Sequence, residues 1–271
     1  MHPPEQIIDE LDQRVTRSHA HFIDLAFVAS FEPLDVSHAL SDSSWINAMH
    51  EELENFERNQ AWTLVDPPPN VHFIGTKWIF KNKQGEDGTV VRNKARLVAQ
   101  GYSQLEGIDF TETFARIARL EAIRILLAFA TSRGFKLYQM DVKSAFLNGF
   151  IGEDVYVKQP PRFENPKYPH KVLKLHKALY GLKQAHRAWY DRLKSFLLER
   201  GYLMGSVDKT LFTRKHGKDF LLVQIYVDDI IFGGSSNALV AEFADTMSRE
   251  FEMSMMGELT FFLGLQIKQS K

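Results

Sequence analysis

Ile225-Tyr226-Val227-Asp228-Asp229-Ile230-Ile231-Phe232 sets two adjacent carboxylates between two apolar, β-prone runs. The pattern predicts a tight strand–turn–strand with both aspartates at its tip. A buried hairpin does not ordinarily carry two like charges there, because they repel and are costly to desolvate. A divalent cation removes that cost, since Mg²⁺ is held by one or two carboxylates together with substrate phosphates. Alone, the pair reads equally well as a solvated Asp-Asp turn.

A second carboxylate changes the balance. In Phe135-Lys136-Leu137-Tyr138-Gln139-Met140-Asp141-Val142-Lys143-Ser144-Ala145-Phe146-Leu147-Asn148-Gly149 a strand pattern runs straight into Asp141, and small residues and an aromatic follow. Strands of one sheet bring such distant ends together. Two-metal nucleotidyl transfer needs carboxylates from separate strands converging on two ions. One ion activates the attacking hydroxyl and the other stabilises the leaving pyrophosphate.

Further blocks share this order: Lys77-Trp78-Ile79-Phe80-Lys81, Asn93 to Gly101 (Asn-Lys-Ala-Arg-Leu-Val-Ala-Gln-Gly), Ala178-Leu179-Tyr180-Gly181-Leu182-Lys183-Gln184, and Gly257-Glu258-Leu259 through Phe262-Leu263-Gly264. With Tyr138 to Gly149 and Tyr226-Val227-Asp228-Asp229 they resemble the reverse transcriptase domain of plant copia-type retrotransposons, from about Trp45 to the C-terminus.

The resemblance implies an α+β fold, a right-hand polymerase fingers and palm with a split βαβ (ferredoxin-like) palm. Residues 1–42 are expected to be a linker-like N-terminal segment. Residues 43–271 are then the reverse transcriptase fingers (about 43–135) and palm (about 136–271, with insertions). The thumb is expected to be truncated or absent. The implied activity is RNA-directed DNA polymerisation with two Mg²⁺ ions, Mn²⁺ being a substitute. The implied partners are an RNA or DNA template with primer, dNTPs, and the integrase, thumb and RNase H of a parent Pol polyprotein. By family, the setting is a cytoplasmic virus-like particle and the nucleus. The alternative is a catalytically inactive remnant that at most binds nucleic acid.

The same resemblance assigns roles by position. Asp141, Asp228 and Asp229 are the expected catalytic metal ligands, with the Val142 carbonyl beside them. Asp229 is expected to be secondary to the other two, because adjacent strand residues point to opposite faces. Phe146 stands where an aromatic steric gate excludes the ribose 2′-hydroxyl; from the residues alone a core phenylalanine is the commoner reading. Backbone amides of Ser144 and Ala145 suit a triphosphate. Arg96 stands at the triphosphate-binding arginine of the fingers hairpin, since a guanidinium forks onto phosphate oxygens. Lys81 or Lys83 adds a point charge, the choice staying open. Gly181 and Tyr180 are expected to shape the floor beneath template base and dNTP, and Lys183 to face either the template backbone or water. Tyr226 is expected at the nucleic acid. The Leu259–Leu265 run resembles the strand pair that positions the primer end.

Composition bounds these readings. The chain has 271 residues, 44% apolar and 12% aromatic, which suits one large or two small globular domains. Net charge is −1, so no global field attracts nucleic acid, yet Val71–Gly101 carries six Lys/Arg against two acids and Lys171–Arg200 eight against two. With no cysteine, disulfides, Cys-based zinc sites and thiol chemistry are excluded. The ten histidines lack metal-ligand spacing. No apolar run reaches membrane-span length and no signal-peptide core is present, so the expectation is a soluble intracellular protein without a membrane partner.

Periodicity predicts a helix over 43–59, from Trp45, Ile46, Met49, Leu53 and Phe56. Strands are expected over Phe73–Lys83 and Thr89–Ala99 around a Gln84–Gly88 turn, and a helix over Leu120–Ser132 stopped by Gly134. Further on come strands Glu153–Val157 and Val172–Leu175, a helix over Gln184–Gly201, a hairpin Thr210–Arg214 with Phe220–Tyr226, a helix over Asn237–Glu250, and a strand over Leu259–Ile267. Ile23–Val28 reads as a short strand or a helix. The chain departs from the family at His186 and Arg116, where proline is usual, and at Arg162, where glycine is usual. A proline at a helix start fixes φ, so His186 loosens that entry.

Overall fold

The computed structural model describes residues 32–84 and 89–269. The Ile23–Val28 element and residues 85–88 of the expected hairpin turn lie outside the described residues. The chain divides into two compact units, one formed by residues up to Leu53 with Trp78–Leu97, the other by Glu54–Lys77 with Val98–Lys271.

In the first unit the helix Ser43–Arg58 begins and buries Trp45, Ala48 and Met49. That helical spacing is the one the sequence shows, and the Trp45 ring meets Phe80 edge-on at 5.4 Å. A four-residue helix, Val36–Ala39, precedes it, capped by Asp35, whose carboxylate accepts from the Ser37 and His38 amides at 2.8 and 3.0 Å. Ala39 is fully buried, so residues 32–42 are more structured than a linker reading implies.

Strands β1 (Trp62–Val65), β2 (Phe73–Ile74), β3 (Thr76–Gln84) and β4 (Val90–Ala99) follow, and β3 pairs with β4. In β3, Trp78 and Phe80 are buried and alternate with exposed Lys77, Ile79 and Lys81. Ala95, Leu97 and Ala99 are the buried residues of β4. An Asn93–Asn82 side-chain hydrogen bond of 3.2 Å puts those two on one face. By strand alternation Lys81, Lys83, Arg92, Lys94 and Arg96 share the other.

The second unit is built on a six-stranded sheet from β5 (Leu137–Val142), β8 (Leu203–Met204), β9 (Leu211–His216), β10 (Asp219–Tyr226), β11 (Asp229–Gly234) and β12 (Met253–Glu258), in the order β12-β5-β11-β10-β9-β8 with every pair antiparallel. The helix Ala185–Glu199 lies between β5 and β10 along the chain, and Asn237–Glu250 between β11 and β12. Strand order and crossovers are those of two interleaved βαβ units. One sheet face carries Phe232, which meets Phe243 of the second helix at 5.0 Å. Trp189 and Phe196 of the first helix meet Phe251 at 5.3 and 5.0 Å. On the opposite face Leu137 and Ile231 join Ile123, Leu126 and Ala130 of the helix Leu120–Arg133, with Leu259 and Phe262. Gly134 caps that helix in the left-handed conformation, φ 68°.

A smaller sheet of order β1-β7-β6-β2 adds β6 (Tyr156–Val157) and β7 (Val172–Leu175). Only Tyr156–Val157 of the expected Glu153–Val157 strand is paired. The expected single strand Leu259–Ile267 breaks at Leu263-Gly264, both at positive φ, into β13 (Phe261–Phe262) and β14 (Leu265–Gln266). Strand β12 has no counterpart in the sequence reading, because an exposed edge strand needs no apolar alternation.

Candidate active site

Within the second unit, β5 and β11 carry Asp141 and Asp229 as direct register partners. Opposed residues of an antiparallel pair project from the same face, here the face of Leu137, Gln139 and Ile231. The Gln139 amide donates to Asp229 Oδ1 at 2.8 Å. Asp228 lies one residue earlier, in the two-residue turn joining β10 to β11, where Tyr226 opposes Asp229. So the tip is Val227-Asp228 rather than the aspartate pair, and alternation groups Asp141 with Asp229.

The turn holds an unusual conformation. Val227 has φ 57°, and a β-branched residue there is a genuine outlier that neighbouring structure must impose. Two bonds do so. The indole N–H of buried Trp189 donates to the Val227 carbonyl at 2.7 Å, and the Val142 amide donates to the Asp228 carbonyl at 3.0 Å. Burial pushes the Asp229 carboxyl above the usual carboxylate range; the Gln139 hydrogen bond opposes this, and the Asp228 charge adds to it.

After β5 the chain turns at Ser144, φ 50°, into a 3₁₀ turn, Ala145–Asn148. The Asn55 amide donates to Ser144 Oγ at 2.9 Å, and the Leu147 amide to the Ser144 carbonyl at 2.9 Å. Ala145 is buried. Phe146 is 6% exposed and packs against Tyr180 and His186, each ring centroid 4.6 Å away. Gly181, at φ 90°, crosses the backbone of Ala99 so closely that an added Cβ would stand 2.1 Å from the Ala99 carbonyl oxygen. The Tyr180 carbonyl accepts from the Ala99 amide at 2.8 Å.

Lys183 turns back on its own unit, with Nζ 3.3 Å from the Gln104 carbonyl and 4.7 Å from the centroid of Phe110. Tyr226 packs edge-on against Phe262 at 5.5 Å. Gln139 and Asp229 open into a cleft of about 300 Å³ lined also by Met256, Glu258, Thr260 and Phe261.

Lys81, Lys83 and Arg96 belong to the first unit and share one hairpin face. Lys81 is tied to Glu32 at 2.8 Å. Lys94, on the same face, has its ammonium pKa lowered by burial and then by the charges of Arg96 and Lys83. Lys94 was not anticipated, nor were Gln139, Asn55 and Trp189. Each is an ordinary strand or helix residue whose role comes from its partner, and only the cation alternation Arg92-x-Lys94-x-Arg96 gave a legible signal.

Asp141 and Asp229 on adjoining strands and Asp228 in the turn bring three hard-oxygen donors to one end of the sheet, Asp229 held toward its neutral form by burial. Among the described residues no three His, Asp or Glu side chains are close enough to share one ion. The ligand types are therefore in place without being closed on a point. Among those residues, too, no helix is long and apolar enough to cross a membrane.

Residues 59–271 match the family described as reverse transcriptase (RNA-dependent DNA polymerase). The chain is 42% identical over 246 residues to the retrovirus-related Pol polyprotein from transposon RE1 of Arabidopsis thaliana, covering 90% of this chain and 17% of that protein. It is 39% identical over 245 residues to the corresponding polyprotein from transposon RE2, again across 90% and 17%. It is 36% identical over 244 residues to the retrovirus-related Pol polyprotein from transposon TNT 1-94 of Nicotiana tabacum, 89% of this chain and 18% of that one.

Proposed function

The chain belongs to the reverse transcriptase family of copia-type Pol polyproteins, and on that premise we propose that it is an RNA-directed DNA polymerase domain extending a primer 3′-hydroxyl with dNTPs. The observation that carries this is the register pairing of Asp141 with Asp229, with Asp228 in the adjoining strained turn. The six-stranded unit serves as palm and the β3–β4 hairpin as part of the fingers.

Asp141, Asp228 and Asp229 are the residues that would hold Mg²⁺, which when bound supplies charge stabilisation at the reacting phosphate. Gln139 fixes the Asp229 carboxylate. The Ser144 turn, held by Asn55, presents amides to the triphosphate. Arg96 and Lys83 bind its oxygens, Arg96 by its fork and Lys83 as a point charge. Lys81, engaged by Glu32, contributes less. Phe146 bars the 2′-hydroxyl, and Tyr180 with Gly181 floors the site. Template, primer and the remaining Pol domains are the partners.

A second reading is a catalytically inactive remnant. It is favoured by the unclosed acidic cluster and by the departures at Arg116 and His186. Primer extension on poly(rA)·oligo(dT) with dTTP and Mg²⁺, beside Asp228→Asn, tests the proposal. Extension that the variant abolishes supports the polymerase; folded protein that does not extend the primer supports the remnant.

A further inference from the structure

His186 stands at the second position of the helix Ala185–Glu199, and its side chain is exposed. Its ring nonetheless meets Phe146 edge-on, 4.6 Å between centroids at 61°. Tyr180 meets the same phenylalanine at 4.6 Å and 55°. Phe146 is buried in a turn whose Ala145 and Leu147 are buried too, and two rings flank it, that of Tyr180 and that of exposed His186. The same imidazole lines a narrow cavity of about 10 Å³ with Arg116, Trp189 and Val227. Trp189 is the donor that holds the Val227 turn. One side chain thus touches the proposed sugar gate and borders the space beneath the aspartate-bearing turn.

We propose that His186 is a positioning residue that sets the sugar selectivity of this site by fixing the Phe146 ring. This rests on the reading of Phe146 as the gate. An aromatic edge contact restricts a ring that would otherwise have several orientations, and only a fixed ring can exclude one hydroxyl. Without the imidazole, Phe146 keeps only Tyr180 of these two ring contacts, so it yields to a ribose.

The test uses the full chain on poly(rA)·oligo(dT), measuring kcat/KM for dTTP and for UTP. The expected result for His186→Ala is a rise of about 3- to 10-fold in UTP use relative to dTTP, the size of one aromatic contact. His186→Phe keeps a ring there and restores selectivity. Phe146→Ala alone relaxes selectivity further, and adding His186→Ala to it changes nothing more. A merely structural role for His186 lowers both nucleotides equally and leaves the ratio unchanged; that result, with Phe146→Ala still relaxing selectivity, overturns the inference and spares the gate. If Phe146→Ala leaves the ratio unchanged, or no variant and no parent extends the primer, the gate reading fails and this inference fails with it. His186→Gln carries the same test should the alanine variant not fold.

Discussion

Trp189→Phe tests whether a single indole holds the turn that bears Asp228. The indole N–H reaches the Val227 carbonyl at 2.7 Å, and the ring is 1% exposed against Phe251. Phenylalanine keeps most of the packing and removes the donor. Losing the bond and leaving a carbonyl unpaired costs about 2–3 kcal/mol. For a unit of roughly 200 residues that is a fall of about 5–10 °C in the thermal midpoint. The same carbonyl belongs to a valine at φ 57°, a conformation that costs an L-residue about 1–2 kcal/mol and glycine nothing. In a Val227→Gly background the turn no longer needs the indole to hold its φ. Trp189→Phe should then cost primer extension much less than it does in the parent. Thermal denaturation and extension rates for the four proteins of the cycle give the coupling, expected above about 0.5 kcal/mol. A Trp189→Phe midpoint equal to the parent's, or rate losses that multiply with no coupling, would refute the reasoning.

Asp141→Asn and Asp228→Asn should each abolish extension, and should also abolish the rise in thermal midpoint that Mg²⁺ gives the parent; a Mg²⁺ shift retained in both rules those ligands out. Asp229 has its folded pKa raised, so between its unfolded and folded values the native state holds more protons and stability falls as pH rises; Asp229→Asn removes that part of the fall, read from urea midpoints along the acid limb. Lys83→Ala should raise the KM for dNTP more than Lys81→Ala does, because Lys81 is already engaged by Glu32; equal effects would contradict the assignment. Gly181→Ala should cost about 3 kcal/mol or more, measured by chemical denaturation, since its Cβ meets the Ala99 carbonyl oxygen at 2.1 Å and its φ is 90°.

Strong periodicity makes several elements legible in the sequence. The helix from Ser43 and the helix Asn237–Glu250 carry their burial in their spacing, and the strand Val172–Leu175 is a short, largely buried apolar run. The aspartates were legible because like charges between apolar runs are costly without a reason. Three things were not. Strand β12 is an edge with exposed Met255 and Met256, so burial left no pattern to read. The Val227 conformation contradicts β-branched preference and exists only through partners far along the chain. Asn55 and Lys94 act through a neighbouring side chain, and pairwise geometry is absent from a one-dimensional pattern.

The pairing of β5 with β11 has a consequence for how such a chain can change over time. Leu137 and Ile231 face the interior on the same side of the sheet as Asp141 and Asp229. A slip of one residue between these strands would turn the carboxylates to the opposite side along with the leucine and the isoleucine. The apolar interior therefore acts as the proofreader of the acidic cluster: a shift that misplaced the charges would first have to expose the core. Substitutions at those two fully buried apolar positions are where loss of chemistry and loss of fold become the same event.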